Sequence, residues 1–81
     1  MTFARRVKIL LEVKGAKQKD LAKFIGVGES VVSRWLKGMI NPHLKYVRSI
    51  CLFLGTTPDV LVMGIPIVDE LLEKYDNGLI R

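Results

Sequence analysis

Apolar residues recur along this chain at intervals of three and four, the spacing of one face of an α-helix, and no stretch alternates apolar with polar as a half-buried strand does. Phe3, Val7, Leu10 and Leu11 share one such face, with Thr2 placed as an N-cap and Gly15 as a left-handed C-cap. A second helix is predicted from Lys17 or Gln18 to Ile25, with Leu21, Ala22 and Ile25 inward. A third runs from about Glu29 to Lys37 and buries Val32 and Trp35, with Val31 and Leu36 as further candidates, and Gly38 closes it. After a loop from Met39 to His43 that carries Pro42, the stripe Leu44, Val47, Ile50, Cys51 and Leu54 predicts a fourth helix ended by Gly55. Thr57-Pro58 reads as a helix start, so a short fifth helix should run to about Met63 and stop at Gly64. Pro66 opens a last helix with Ile67, Val68, Leu71, Leu72 and Tyr75 on one side, stopped by Asn77-Gly78.

The second and third helices are separated only by Gly26-Val27-Gly28. Two short helices that cross steeply need a turn of about three or four residues, often with glycine because the chain there takes φ > 0, and Gly26 fits that demand. Counted from Gln18 as the first place of a 20-residue unit, apolar residues fill the fourth, eighth, tenth, fifteenth and eighteenth places: Leu21, Ile25, Val27, Val32 and Trp35. The small Ala22 holds the fifth place and Gly26 the ninth. The stretch QKDLAKFIGVGESVVSRWLKG, followed by Asn41-Pro42 and an apolar helix, resembles the helix-turn-helix of Cro and the lambda-type phage repressors, the XRE-like group, and the resemblance covers Val7 to Met63. It implies an all-α, five-helix lambda-repressor-like DNA-binding domain over residues 1–64, with a short additional C-terminal helix in residues 65–81 that either forms a dimer interface or folds back over the core.

The resemblance also implies roles. The helix from Glu29 would lie in the major groove of double-stranded DNA, where each base pair shows its own pattern of donors, acceptors and methyl groups. Its outward residues are Glu29, Ser30, Ser33 and Arg34: Arg34 suits the O6 and N7 of a guanine, and Glu29 suits a cytosine amine. Glu29 also sits where the helix dipole favours a carboxylate without any DNA. The phosphate backbone would meet Lys17, Gln18, Lys37, Asn41, His43, Lys45 and Tyr46, with free N–H groups at the start of the second helix. Four places depart from the family. Leu11 and Leu36 stand where many relatives carry an arginine–glutamate pair and are expected to pack together, Gly28 replaces the polar cap of the reading helix, and His43 replaces a serine cap, which is expected to weaken the fourth helix at its start.

Charge agrees with a polyanion partner for one part of the chain. Residues 1–48 hold eleven Lys or Arg against three Asp or Glu, a net +8, whereas residues 49–81 hold two against five, a net −3. The only histidine and the only cysteine, His43 and Cys51, lie apart, and no phosphate loop or metal-ligand spacing occurs, so an enzyme, a metal site and a cofactor are not expected. The lone cysteine cannot form an internal disulfide, and neither an export signal nor a membrane span is legible, so a cytoplasmic setting is expected. Two functions remain open. One is a sequence-specific transcriptional regulator, a phage or plasmid-type repressor or a restriction-modification controller, acting as a homodimer on two half-sites. The other is an antitoxin or antirepressor whose main ligand is a protein, with Asp69, Glu70, Glu73 and Asp76 near the C-terminus as a contact surface.

Overall fold

The computed structural model describes residues 1–79. Its elements in chain order are α1 (Phe3–Lys14), α2 (Gln18–Ile25), α3 (Glu29–Leu36), α4 (Leu44–Leu54), a single π-helical turn (Asp59–Met63) and α5 (Pro66–Asp76). No strand occurs among the described residues. α1 starts where its cap demands: the Thr2 hydroxyl accepts from the Arg5 N–H at 3.1 Å, satisfying a donor that the first turn leaves without a partner. It stops where Gly15 turns left-handed and the following amide, Ala16 N–H, donates back to the Leu11 carbonyl at 2.9 Å.

The core takes one stripe from each element except α5. Val7 and Leu11 of α1, Leu21 and Ala22 of α2, Val32, Trp35 and Leu36 of α3, Val47, Ile50 and Cys51 of α4, and Leu61 of the π turn form one buried cluster. The small Ala22 of α2 is buried in this cluster. Leu11 and Leu36, expected to pack together, are both buried in this cluster. An apolar pair here avoids the cost of desolvating two charges. Burial also pushes the Cys51 thiol above its ordinary pKa, so the neutral thiol serves as a small apolar filler.

α1 has a second buried side that apolar spacing alone does not reveal. Ile9 and Arg6 are buried there, and Arg6 meets α5. Arg6 is 5 % exposed and no buried atom of its guanidinium lacks a hydrogen-bond partner. Nε and Nη2 donate to the two oxygens of Asp69 at 2.9 and 3.0 Å, and Nη1 donates to the carbonyls of Leu61 and Val62 at 3.3 Å each. Those carbonyls lie at the end of the π turn, where the helix supplies no partner. One side chain thus joins α1, the π turn and α5. Arg5 adds an exposed link, reaching Asp76 at 3.2 Å and Glu73 at 3.6 Å.

Several expectations from spacing change in the structure. The fifth helix is wound as a π turn: Gly64 N–H donates to the Asp59 carbonyl, five residues back, at 3.0 Å. This winding puts Leu61 in the core and turns its end toward Arg6. Leu44 is 72 % exposed, because a side chain at the first position of a helix leans back over the preceding loop and away from the core. On α5 the inward face is Val68, Asp69, Leu72 and Tyr75, while Ile67 and Leu71 are 67 % and 51 % exposed. The pairing of Asp69 with Arg6 fixes that rotation.

Gly64 is the tightest point of this arrangement. Its φ of +80° suits glycine alone, and a Cβ there would overlap the Arg6 guanidinium. Gly64→Ala should therefore cost about 2–4 kcal/mol in urea unfolding. Arg6 also sets a pH dependence. Its hydrogen bonds hold the Asp69 carboxyl below the ordinary value of 3.8. The folded chain then binds that proton less tightly than the unfolded chain, so the stabilisation is complete above the ordinary value and lost as pH falls through the lower, folded one. Melting temperature should fall more steeply below about pH 4 in the native chain than in Asp69→Asn; parallel curves would show that the pair contributes nothing.

Candidate nucleic-acid interface

α2 begins without a side-chain cap, because the Lys17 ammonium has no lone pair to accept with. Only the reverse bond forms: the Lys17 N–H donates to the Asp20 carboxylate at 2.8 Å. The amides of Gln18 and Lys19 therefore lead the helix without intrahelical acceptors, beside an exposed lysine, and such an end attracts an anion.

The two glycines of the following turn have different reasons. Gly26 sits at φ +86°, and its amide and that of Val27 both donate to the Ala22 carbonyl, at 2.8 and 3.1 Å. This left-handed residue redirects the chain from α2 into α3. Gly28 lies at φ −68°, and a Cβ there would meet only Ser30 Oγ at 3.6 Å. It is the N-cap of α3 and caps with no side chain, so neither space nor backbone geometry requires glycine there.

Within α3, Val32, Trp35 and Leu36 are buried, while Glu29, Ser30 and Arg34 are exposed and Ser33 is half-buried. At 100° per residue these last four, with the following C-cap Lys37, fall on one arc opposite the buried stripe. The helix ends as Met39 N–H donates to the Arg34 carbonyl at 3.0 Å through left-handed Gly38. α4 then starts on His43, whose Nδ1 accepts from the Lys45 N–H at 3.3 Å. The imidazole thus caps α4 instead of weakening its start, and its Nε2–H remains as a donor. Tyr46 is half-buried against Trp35 with ring centroids 5.5 Å apart, and Lys45 Nζ stands 5.0 Å from the Tyr46 ring centre. This stack fixes the start of α4 against α3.

Two neighbouring clefts bring the remaining sequence candidates together. One, of about 480 Å³, is lined by Arg5, Lys8, Leu36, Lys37 and Asn41 among others; the next, of about 340 Å³, by Lys8, Leu11, Glu12, Lys17, Gln18 and Leu36 among others. Lys17 and Gln18 are thereby linked to Lys37 and Asn41 across α1. His43, Lys45 and Tyr46 line neither cleft and connect to α3 through Trp35. Every ion pair among the described residues lies within α1 and α5: Arg5 with Glu73 and Asp76, Arg6 with Asp69, and Lys74 with Glu70. None of them engages Lys17, Arg34, Lys37 or Lys45.

A family model described as helix-turn-helix matches residues 7–61, the span from α1 into the π turn. The chain belongs to the Cro and lambda-repressor-like helix-turn-helix family. No curated protein and no solved structure matches it. As a member of this DNA-binding regulatory family it is a transcription regulator whose partner is DNA. Among the described residues no helix is long and apolar enough to cross a membrane.

In this helix-turn-helix, the geometry of the two turn glycines predicts opposite responses. Gly26→Ala should lower stability by roughly 1–2 kcal/mol, the penalty of a left-handed alanine. Gly28→Ser should raise it by a few tenths of a kcal/mol, because serine adds the missing cap acceptor at an allowed backbone conformation. Thermal melts of the two variants against the native chain check both signs.

Proposed function

We propose that this regulator is a sequence-specific repressor of phage or plasmid type, or a restriction-modification controller, that reads the major groove of double-stranded DNA with α3. The observation that carries the reading is the arc of exposed Glu29, Ser30 and Arg34 with half-buried Ser33, which no ion pair or side-chain hydrogen bond among the described residues engages, while Lys17 and Gln18 share a cleft with Leu36 of the same helix and Tyr46 packs on its Trp35. Arg34 donates two hydrogen bonds to guanine O6 and N7, Glu29 accepts from a cytosine amine, and Ser30 and Ser33 contact base edges or phosphates with little selectivity. Lys17, the leading amides of α2, Gln18, Lys37, Asn41, His43, Lys45 and Tyr46 hold the phosphates and set the register. Two copies bind two half-sites about one helical turn apart. The exposed Ile67 and Leu71 of α5 supply the contact between copies, since none of the DNA-facing candidates belongs to that helix. Repression follows from occupying the site.

The alternative role of binding a protein through the acidic C-terminal helix has less support. Asp69, Glu70, Glu73 and Asp76 are each engaged within the chain by Arg6, Lys74 or Arg5.

Selection from a randomised duplex pool at near-physiological salt, where non-specific phosphate binding is weak, should enrich an inverted repeat. On that site Arg34→Ala should cost roughly 1–3 kcal/mol and relax preference at one base pair per half-site, whereas Lys45→Ala should weaken all sequences about equally. An even loss of affinity for Arg34→Ala would remove its base-reading role. A folded protein that enriches no sequence would favour the protein-partner role.

A further inference from the structure

Lys8 lies where the two clefts meet. It lines both, with Lys37 and Asn41 beyond it on one side and Lys17 and Gln18 on the other. Leu36 is shared by the two clefts and Leu11 lies beside it in the second, so apolar carbon forms their common floor. Glu12, one turn further along α1, is the carboxylate present, and it borders the second cleft alone. The guanidinium of Arg5, at the edge of the first cleft, is already held by Asp76 and Glu73. Lys8, Lys17 and Lys37 enter no ion pair among the described residues. Like charges gathered over an apolar wall repel one another and focus an attractive field on an incoming anion.

We propose that Lys8 binds a phosphate of the DNA backbone, closing on α1 the line of contacts that runs from Lys17 and Gln18 to Lys37 and Asn41. This rests on the docking proposed above, in which α2 and the loop after α3 face the backbone. Lys8 then carries no base preference of its own; it holds the duplex against the end of α3 and thereby fixes how deep the reading helix sits. Sequence spacing hides the role, because Lys8 falls on the exposed side of an amphipathic first helix and reads as an ordinary solvated charge.

The test is the salt dependence of affinity, measured by fluorescence anisotropy on a mixed-sequence duplex of about two helical turns, in sodium chloride from about 0.05 to 0.3 M. Each lost phosphate contact lowers the slope of log K against log salt by about 0.9. Lys8→Gln and Lys37→Gln should each flatten the slope by about that amount, and Lys74→Gln, which removes the same charge from α5, should leave it unchanged. Equal melting temperatures for the Lys8 variant and the native chain establish that the fold is intact, as expected for an exposed side chain. An unchanged slope for Lys8→Gln beside a flattened one for Lys37→Gln overturns the role of Lys8 and leaves the docking in place. Unchanged slopes for both overturn the docking as well, and equal flattening in all three variants would show a general charge effect without a contact at Lys8.

Discussion

A buried guanidinium organises the half of this molecule that does not belong to the helix-turn-helix. Arg6 enters from α1 with an obligatory positive charge and five donors in a plane, and burial is tolerable only if carboxylate and carbonyl oxygens meet them. Asp69 supplies two of those oxygens and the end of the π turn supplies two more. Three local features follow from this one requirement. The turn is wound wide enough for its last carbonyls to face Arg6, Gly64 is left without a Cβ so that the guanidinium fits, and α5 is rotated to bring Asp69 inward at the expense of Ile67 and Leu71. An ion pair of this kind is a weak source of net stability, since desolvation offsets much of the attraction, but removing one partner alone is costly. Its main effect here is to specify one geometry for the C-terminal part of the chain.

The same contacts sort the charges. Asp69, Glu73 and Asp76 are taken up by Arg5 and Arg6, so the acidity of the C-terminal segment is spent against α1. Among the described residues, Lys17, Arg34, Lys37 and Lys45 are left without carboxylate partners on α2, α3, the following loop and α4. A chain with a modest overall charge of +5 can in this way present a much more basic face to a polyanion than its composition suggests. Membership of a DNA-binding family makes DNA the partner of this chain, and in the proposed docking the arc of α3 would give that face a means of discrimination that a basic surface alone lacks.

The helix-turn-helix was legible in the sequence because each of its constraints is local. Gly26 must be left-handed, Ala22 must be small, and Leu21, Val32 and Trp35 must point inward, and each demand leaves its mark at one position. The contacts that were not legible are those in which two distant residues satisfy each other. Arg6 is separated from Asp69 by most of the chain, and nothing near either residue announces the pair, so a charged residue on α1 reads as solvated and the stripe of α5 is placed about the wrong axis. The π winding is hidden for the same reason, since its partner lies in α1. His43 shows a smaller case: its place before α4 was visible, but imidazole as a cap acceptor depends on which nitrogen turns back to Lys45. At the candidate site the residues of α3 could be named from helical spacing, whereas the meeting of α1 with α2 and with the loop after α3 around Lys8 appears only once the chain is folded.

In the proposed docking one face of this molecule is left free for DNA while the acidic side chains of α5 are held by α1. Amide chemical shifts of the isotopically labelled chain, followed by NMR during titration with a duplex that carries its selected site, test it directly. The large changes should fall on residues 17–19, 29–37 and 41–46, with the amides of residues 66–76 altered only where two copies meet around Ile67 and Leu71. Dominant changes along the Asp69, Glu73 and Asp76 side of α5, with α3 unmoved, would contradict it.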